Sequence, residues 1–246
     1  MLRKIKSYIK SKGLVFLFKK IFFYPSQKIK YSIHLIKIKN LKNNKKKFDY
    51  IYENKIWSSG ETLSGIGSSL EYTKNLRENL PLLFKKYEIK SFLDVPCGDF
   101  NWMSEVLKKY NINYIGCDIV ESLIEDLKKK HSSEFIQFKH LDMCQDELPK
   151  VDLIFVRDCL FHLSLQDIQY FINNFKKSNI KYILTSSHKN LDDFENIDID
   201  TGSFRKIDLF KHPFNFSKDF KEEIIDFIEP YPERSMFLWS RDNFLV

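Results

Sequence analysis

Five apolar runs of strand length punctuate the second half of the chain, at 91–95, 114–119, 135–141, 153–156 and 182–185. Between them lie longer segments with apolar residues at helical spacing, among them 103–110 and 122–130. Parallel neighbours in a sheet need a crossover that hairpins cannot supply. Strand signals alternating with helix signals therefore predict an α/β domain with a largely parallel sheet. The first 47 residues follow another pattern. Their apolar run 14–18 is broken by Lys19 and Lys20, resumes at 21–24 and stops at Pro25. Neither run approaches the roughly 20 apolar residues of a membrane span, and no small-residue cleavage site of a signal peptide follows. Residues 43–47 read as a polar linker. The expected organisation is a basic amphipathic arm with its linker, 1–47, and one folded domain, 48–246.

Charge sharpens that division. Residues 1–48 hold 15 Lys and Arg and no acid, while the whole chain is +7, so the remainder carries −8. The basic character belongs to the arm, and the folded part lacks the positive footprint that a nucleic-acid surface requires. No nucleic-acid partner is expected. Phe, Leu and Ile interleaved with lysines suit the face of an anionic membrane. A helix packed on the domain with its lysines solvated, or an oligomer contact, would look the same in sequence. The four cysteines show neither CxxC spacing nor a Cys/His cluster. A zinc site or disulfide framework is not expected, no metal ligands are assigned, and a reducing cytoplasm is the default setting.

Candidate chemistry sits at the strand ends. "SFLDVPCGDFNWM" runs from the first strand, ending at Asp94–Val95, into a turn formed by Pro96, Cys97, Gly98 and Asp99. Gly98 would let the backbone approach a ligand without a Cβ in the way. The second strand ends at Asp118, 24 residues after Asp94. An acid about 20 residues past the first turn can bind both hydroxyls of a ribose. Asp142 ends the third strand, where a carboxylate could accept from an exocyclic amine. The fourth ends at Arg157–Asp158, and His162, four residues beyond Asp158, would share a helical face with it. His140 and His188 also end strands.

The order LDVPCGD, YIGCDI, HLDM and DLIFVRDCLFHLS, within residues 57–246, resembles the class I S-adenosylmethionine-dependent methyltransferases. The usual first motif is DxGxGxG, whereas here Pro96 and Phe100 replace the outer glycines. In this the chain resembles a bacterial branch with a PCGD turn followed by WM, often associated with surface polysaccharide assembly. The resemblance implies a Rossmann-like fold with a mainly parallel seven-stranded sheet and helices on both faces. It implies S-adenosylmethionine as cofactor, its amino-acid end wrapped by Asp94, Pro96, Cys97, Gly98 and Asp99 with Trp102 and Arg157. Asp118 with Ile119 would take the ribose, and Asp142 with Met143 the adenine. The upstream segment, with Trp57, Gly67 and Ser68, would close over the cofactor.

The same resemblance puts the acceptor side after the fifth strand, at His188, Asn196, Asp198, Thr201 and Arg205. Arg205 is either a fixed charge for the acceptor or a structural ion-pair partner. His162 is either a general base for an attacking hydroxyl or a buried cavity liner, and Asp158 either orients it or binds the acceptor. The expected reaction is O-methylation of a small polar, sugar-containing acceptor in bacterial capsule or lipopolysaccharide synthesis. A phosphate or phosphoramidate decoration of such a glycan is an allied target. The rival readings are a nucleic-acid methyltransferase and a cofactor-binding partner without turnover. Base-amino methyltransferases usually carry (D/N/S)-P-P-(Y/F/W) after the fourth strand, and here the position reads Arg157–Asp158–Cys159–Leu160. The expected location is cytoplasmic, with the arm against the inner face of the membrane.

Overall fold

A computed structural model describes residues 24–244 and divides the chain into two compact units, 1–41 and 42–246. Within the first, the described element is helix α1 (Tyr24–Lys39). The apolar run at 14–18 and the run at 21–24, apart from its last residue, lie outside the described residues.

The second unit begins with α2 (Asn44–Glu53). The segment read as a polar linker is the start of this helix. Asn43 caps it, its Oδ1 accepting the Lys46 N–H at 3.0 Å. The lysines that suggested a linker are good helix formers, and Phe48, Ile51 and Tyr52 give the helix an apolar face at i, i+3 and i+4.

The elements then alternate as α3 (Lys74–Lys86), β1 (Ser91–Asp94), α4 (Met103–Leu107), β2 (Asn113–Asp118), α5 (Glu121–His131) and β3 (Ile136–His140). They continue with β4 (Leu153–Val156), α6 (Leu165–Lys177), β5 (Tyr182–His188), β6 (Glu222–Ile225) and β7 (Arg234–Ser240). Seven strands form one sheet in the order β3-β2-β1-β4-β5-β7-β6. Strands β1 to β5 run parallel, and β7 lies antiparallel to both β5 and β6. Strand β5 extends three residues past its expected end because β7 pairs along its full length, up to His188 opposite Arg234.

Successive strand residues point to opposite faces, and both faces are buried. Leu93, Ile154, Ile183 and Trp239 join Ile168, Phe171, Ile172 and Phe175 of α6 in one core. Phe92, Tyr114, Phe155 and Leu238 join Leu76, Leu80 and Phe84 of α3 and Leu123, Ile124 and Leu127 of α5 in the other. The strand order reverses between β1 and β4, so a crevice opens beyond their carboxyl ends, the general ligand position in such sheets.

Candidate active site

A cleft open to solvent occupies that position and is lined by residues from 44 to 163. Its floor is the turn after β1. Gly98 has φ +54°, and its N–H donates to Asp118 Oδ2 at 3.2 Å. The close approach expected of a ligand is made first by the protein: a Cβ on Gly98 would stand 2.3 Å from Ser64 Oγ. Ser64 belongs to an upstream segment fastened to Asp99. The Asp99 carboxylate accepts from Thr62 Oγ1 (2.9 Å), the Leu63 N–H (2.6 Å) and Ser64 Oγ (3.1 Å). Asp99 returns its own N–H to Ser64 Oγ at 2.9 Å. Asp99 is outside the cleft lining; it positions the segment whose Leu63, Ser64 and Ser68 form one wall. The sequence reading missed Thr62 and Ser64, although a T-x-S triplet ahead of a turn is an available donor set.

Gly98→Ala is expected to destabilise the fold by about 1–2 kcal/mol through the left-handed backbone alone. Displacement of Ser64 should also weaken binding of S-adenosylhomocysteine by about tenfold or more. Urea melts and calorimetric titration read the two effects separately. An alanine variant that binds as tightly as wild type would show that the 62–64 segment does not need its observed position.

The carboxylate at the end of β2 is built to accept. Besides the Gly98 N–H, Asp118 takes the Val120 N–H on Oδ1 at 3.0 Å. Burial outweighs these bonds and pushes its carboxyl up to about 6. Asp94 receives the Tyr114 hydroxyl at 2.9 Å, and burial pushes it up to about 8. Asp142 takes the Cys144 N–H and the Gln145 amide, both at 2.9 Å, with its carboxyl raised by burial. Around these acids Ile119, Val120, Leu123, Leu141 and Met143 line an apolar slot, and Phe48, Ile51 and Tyr52 of α2 cover it. The expected start at residue 48 thus cuts through a helix that forms a cleft wall.

At the end of β4 the charges are paired below the surface. Asp226, beyond β6, receives Arg157 Nε at 2.8 Å and Nη2 at 2.9 Å, and Arg234 Nε at 3.4 Å. Arg157 Nη2 also donates to the Gly67 carbonyl at 2.8 Å, and its guanidinium lies 5.4 Å from the Trp102 ring centroid. Gly67 does not line the cleft. Lacking a Cβ, which would meet Asp158 Oδ2 at 2.6 Å, it lets its turn rest on this cluster. Arg234 Nη2 donates to Asp158 Oδ2 at 2.8 Å. Asp158 Oδ1, although buried, has no hydrogen-bond partner. Burial alone would raise the Asp158 carboxyl, but Arg157 and Arg234 together outweigh it and hold the group below the usual carboxylate range. Asp158 has φ +51°, an unfavourable conformation for a non-glycine residue. It is held by the Ser186 hydroxyl, which accepts its N–H at 3.1 Å. Asp158 thus lines the cleft as an ionised carboxylate, with its partnerless oxygen turned into the protein.

His162 stands beside it, in a 3₁₀ turn (Leu160–His162) where an α-helical i, i+4 relation to Asp158 was expected. The left-handed backbone at Asp158 prevents a continuous helix. Nδ1 of His162 lies 2.7 Å from the Ser203 carbonyl. A carbonyl only accepts, so Nδ1 carries the proton and Nε2 keeps its lone pair. Burial pushes this imidazole down to about 4, so it is neutral at neutral pH. Trp57 stacks on the ring at a centroid distance of 4.5 Å. Phe204, half exposed and unforeseen, stands 5.8 Å away and is absent from the cleft lining.

The other residues expected to meet the acceptor hold the scaffold and are absent from the cleft lining. Asn196 Nδ2 donates to the Asp208 and His212 carbonyls, both at 2.8 Å. Asp198 accepts the Leu165 N–H at the start of α6, and Thr201 accepts the Ser164 N–H and donates to Asp167. His188 accepts the Ile207 N–H on Nδ1 at 3.2 Å. Arg205 is buried with Nη1 on the Leu163 carbonyl, while Nε and Nη2 lack partners. His140 donates from Nε2 to the Ile119 carbonyl at 3.0 Å.

Residues 92–178 match the family model described as Methyltransferase domain. The fold is that of the class I methyltransferases. Among solved structures, PigF with SAH superposes with a TM-score of 0.58 at 14% identity, covering 93% of this chain and 73% of that one. A SAM-dependent methyltransferase from Leishmania major gives 0.58 at 16% identity over 82% and 88% of the two chains. Human N-acetylserotonin methyltransferase in complex with SAM gives 0.52 at 14% over 91% and 68%. No curated protein matches the chain.

The methyl donor of this domain family is S-adenosylmethionine, and the cleft fits it. The β2 carboxylate keeps acceptor capacity for ribose hydroxyls, the slot beside Asp142 is apolar enough for an adenine, and the Gly98 turn provides the floor. Asp118, Asp142, Pro96, Cys97, Gly98 and Trp102 all line the cleft with Ile119, Met143 and Arg157.

Proposed function

We propose that the chain transfers a methyl group from S-adenosylmethionine to a hydroxyl of a small polar, sugar-containing acceptor during assembly of a bacterial surface polysaccharide. One observation carries the oxygen-directed part. His162 Nε2, a lone-pair acceptor because Nδ1 donates to the Ser203 carbonyl, belongs to a residue that lines the same cleft as the ionised Asp158. Two acceptor side chains in one cleft suit a ligand that brings donors, as neighbouring hydroxyls do. The polysaccharide part is supported by the likeness of the PCGD turn and its neighbours to the bacterial branch.

S-adenosylmethionine, when bound, would supply a methyl group whose carbon–sulfur bond breaks as the carbon–oxygen bond forms, with S-adenosylhomocysteine as the leaving group. The chain would hold the acceptor hydroxyl against His162 Nε2, which takes its proton. The Asp158 carboxylate offsets the charge then developing on the imidazole and fixes a second hydroxyl. The Ser203 carbonyl and the Trp57 ring keep the imidazole oriented. His162 is neutral well below pH 7, so protonation of the base limits the rate only as pH falls toward about 4.

The test combines methyl-labelled S-adenosylmethionine with bacterial extract separated into small-molecule, glycan-lipid and nucleic-acid fractions. Label is expected in a nucleotide-sugar or glycan fraction, and His162→Gln should lower the rate by about 10²–10⁴-fold. Cofactor affinity should change little. Label in nucleic acid would overturn the acceptor class. Cofactor binding without label in any fraction would mark a binding partner without turnover.

A further inference from the structure

Helix α1 carries an exposed apolar face. Ile29, Ile33 and Ile36 stand at i, i+4 and i+7, one stripe of the helix, and are 63%, 60% and 64% exposed. Lys30 and Lys37 adjoin the stripe, and α1 itself contains no acid. Single exposed aliphatics are ordinary, but three aligned large ones amount to a patch of the kind that marks a contact surface. The surrounding charge selects the partner. Fifteen Lys and Arg and no Asp or Glu lie within residues 1–48.

We propose that the Ile29–Ile33–Ile36 face of α1 docks on the surface of an anionic lipid bilayer, with the isoleucines at the headgroup boundary and the lysines against lipid phosphates. At 16 residues the helix is about 24 Å long. No helix among the described residues is long and apolar enough to cross a membrane, so α1 lies along the surface. A second copy of the chain is disfavoured as occupant because it would bring another +15 segment against the first. Nucleic acid would meet the basic charge but not the stripe, whose aliphatic side chains neither stack on bases nor hydrogen-bond to them. The combination of a hydrocarbon stripe and a lysine-rich segment without acids of its own matches a bilayer whose surface is negative. The proposal is independent of the acceptor assignment, since it places the enzyme without naming its substrate.

Full-length protein co-sedimented with large unilamellar vesicles tests it. Vesicles of phosphatidylcholine with about 30% phosphatidylglycerol should bind at least about tenfold more tightly than phosphatidylcholine alone. Raising salt from about 0.1 to 0.5 M should weaken the binding, because screening shortens the reach of the lysines. The triple variant Ile29→Ser/Ile33→Ser/Ile36→Ser should lose at least about tenfold in affinity. Its circular dichroism and S-adenosylhomocysteine binding should match wild type. Lys30→Glu, which leaves the stripe intact, should weaken binding to the anionic vesicles alone. The proposal is overturned if anionic vesicles fail to sediment the wild type, or if the triple variant binds them equally well. It is also overturned if the stripe substitutions abolish a dimer in sedimentation velocity, or poly(U) binding, while leaving vesicle binding unchanged.

Discussion

Replacing Asp226 by alanine is expected to cost about 3–5 kcal/mol of folding stability, the range for breaking a buried ion pair from one side. Its side chain is fully buried, and it is the carboxylate that accepts from both Arg157 and Arg234. Removing it leaves two buried guanidinium groups sharing only Asp158, which is also the carboxylate that faces the cleft. Urea denaturation should show a lower midpoint with an unchanged slope. The penalty comes from stranding charge and not from losing a favourable pair. Deleting Arg157 together with Asp226 by apolar residues of similar volume should therefore recover much of the loss. A single Asp226→Ala variant within about 1 kcal/mol of wild type would mean that solvent reaches the cluster and relieves it.

Asp118→Ala is expected to weaken S-adenosylhomocysteine binding by about 100-fold, since two hydrogen bonds to a carboxylate are worth roughly 3 kcal/mol or more. The wild-type affinity should also depend on pH in a set direction. Burial raises the Asp118 carboxyl to about 6, and ribose hydroxyls donate best to its ionised form. Affinity should be level above that value and fall by up to about tenfold per unit as pH drops below it. Calorimetry in buffers of different ionisation enthalpy would reveal the accompanying proton release near pH 6. A flat pH profile, or an alanine variant with intact affinity, would remove Asp118 from the ribose role.

Much of the parallel half of the sheet, and the place of the cleft at its strand ends, was legible because it is written in local sequence. Strands β1 to β5 are short apolar runs, and their carboxyl ends are marked by acids whose spacing follows from strand–helix–strand geometry. What the sequence could not display was who pairs with whom. Arg157 reads as a ligand contact, yet its main partner, Asp226, lies 69 residues away beyond an edge strand. Strand β6, Glu222–Ile225, has two glutamates among four residues and joins the sheet only through β7. Gly98 and Gly67 read as ligand-facing glycines, and each makes room for a protein side chain instead. The acceptor side was least legible. Asn196, Asp198 and Thr201 have the polar look of a binding loop, but their hydrogen-bonding capacity is taken by backbone groups and by Asp167. Phe204 gives no signal beyond being one aromatic among many. The start of the folded part was misplaced because three lysines in a row resemble a linker, whereas Asn43 before them starts a helix.

The fastening of the upstream segment to Asp99 bears on how one wall of the cleft keeps its place. Three donors from residues 62–64 converge on one carboxylate, so none can swing free without loosening the other two. One wall of the cleft is therefore held by a single side chain that does not itself line it, and the loss of that carboxylate would release all three anchors together.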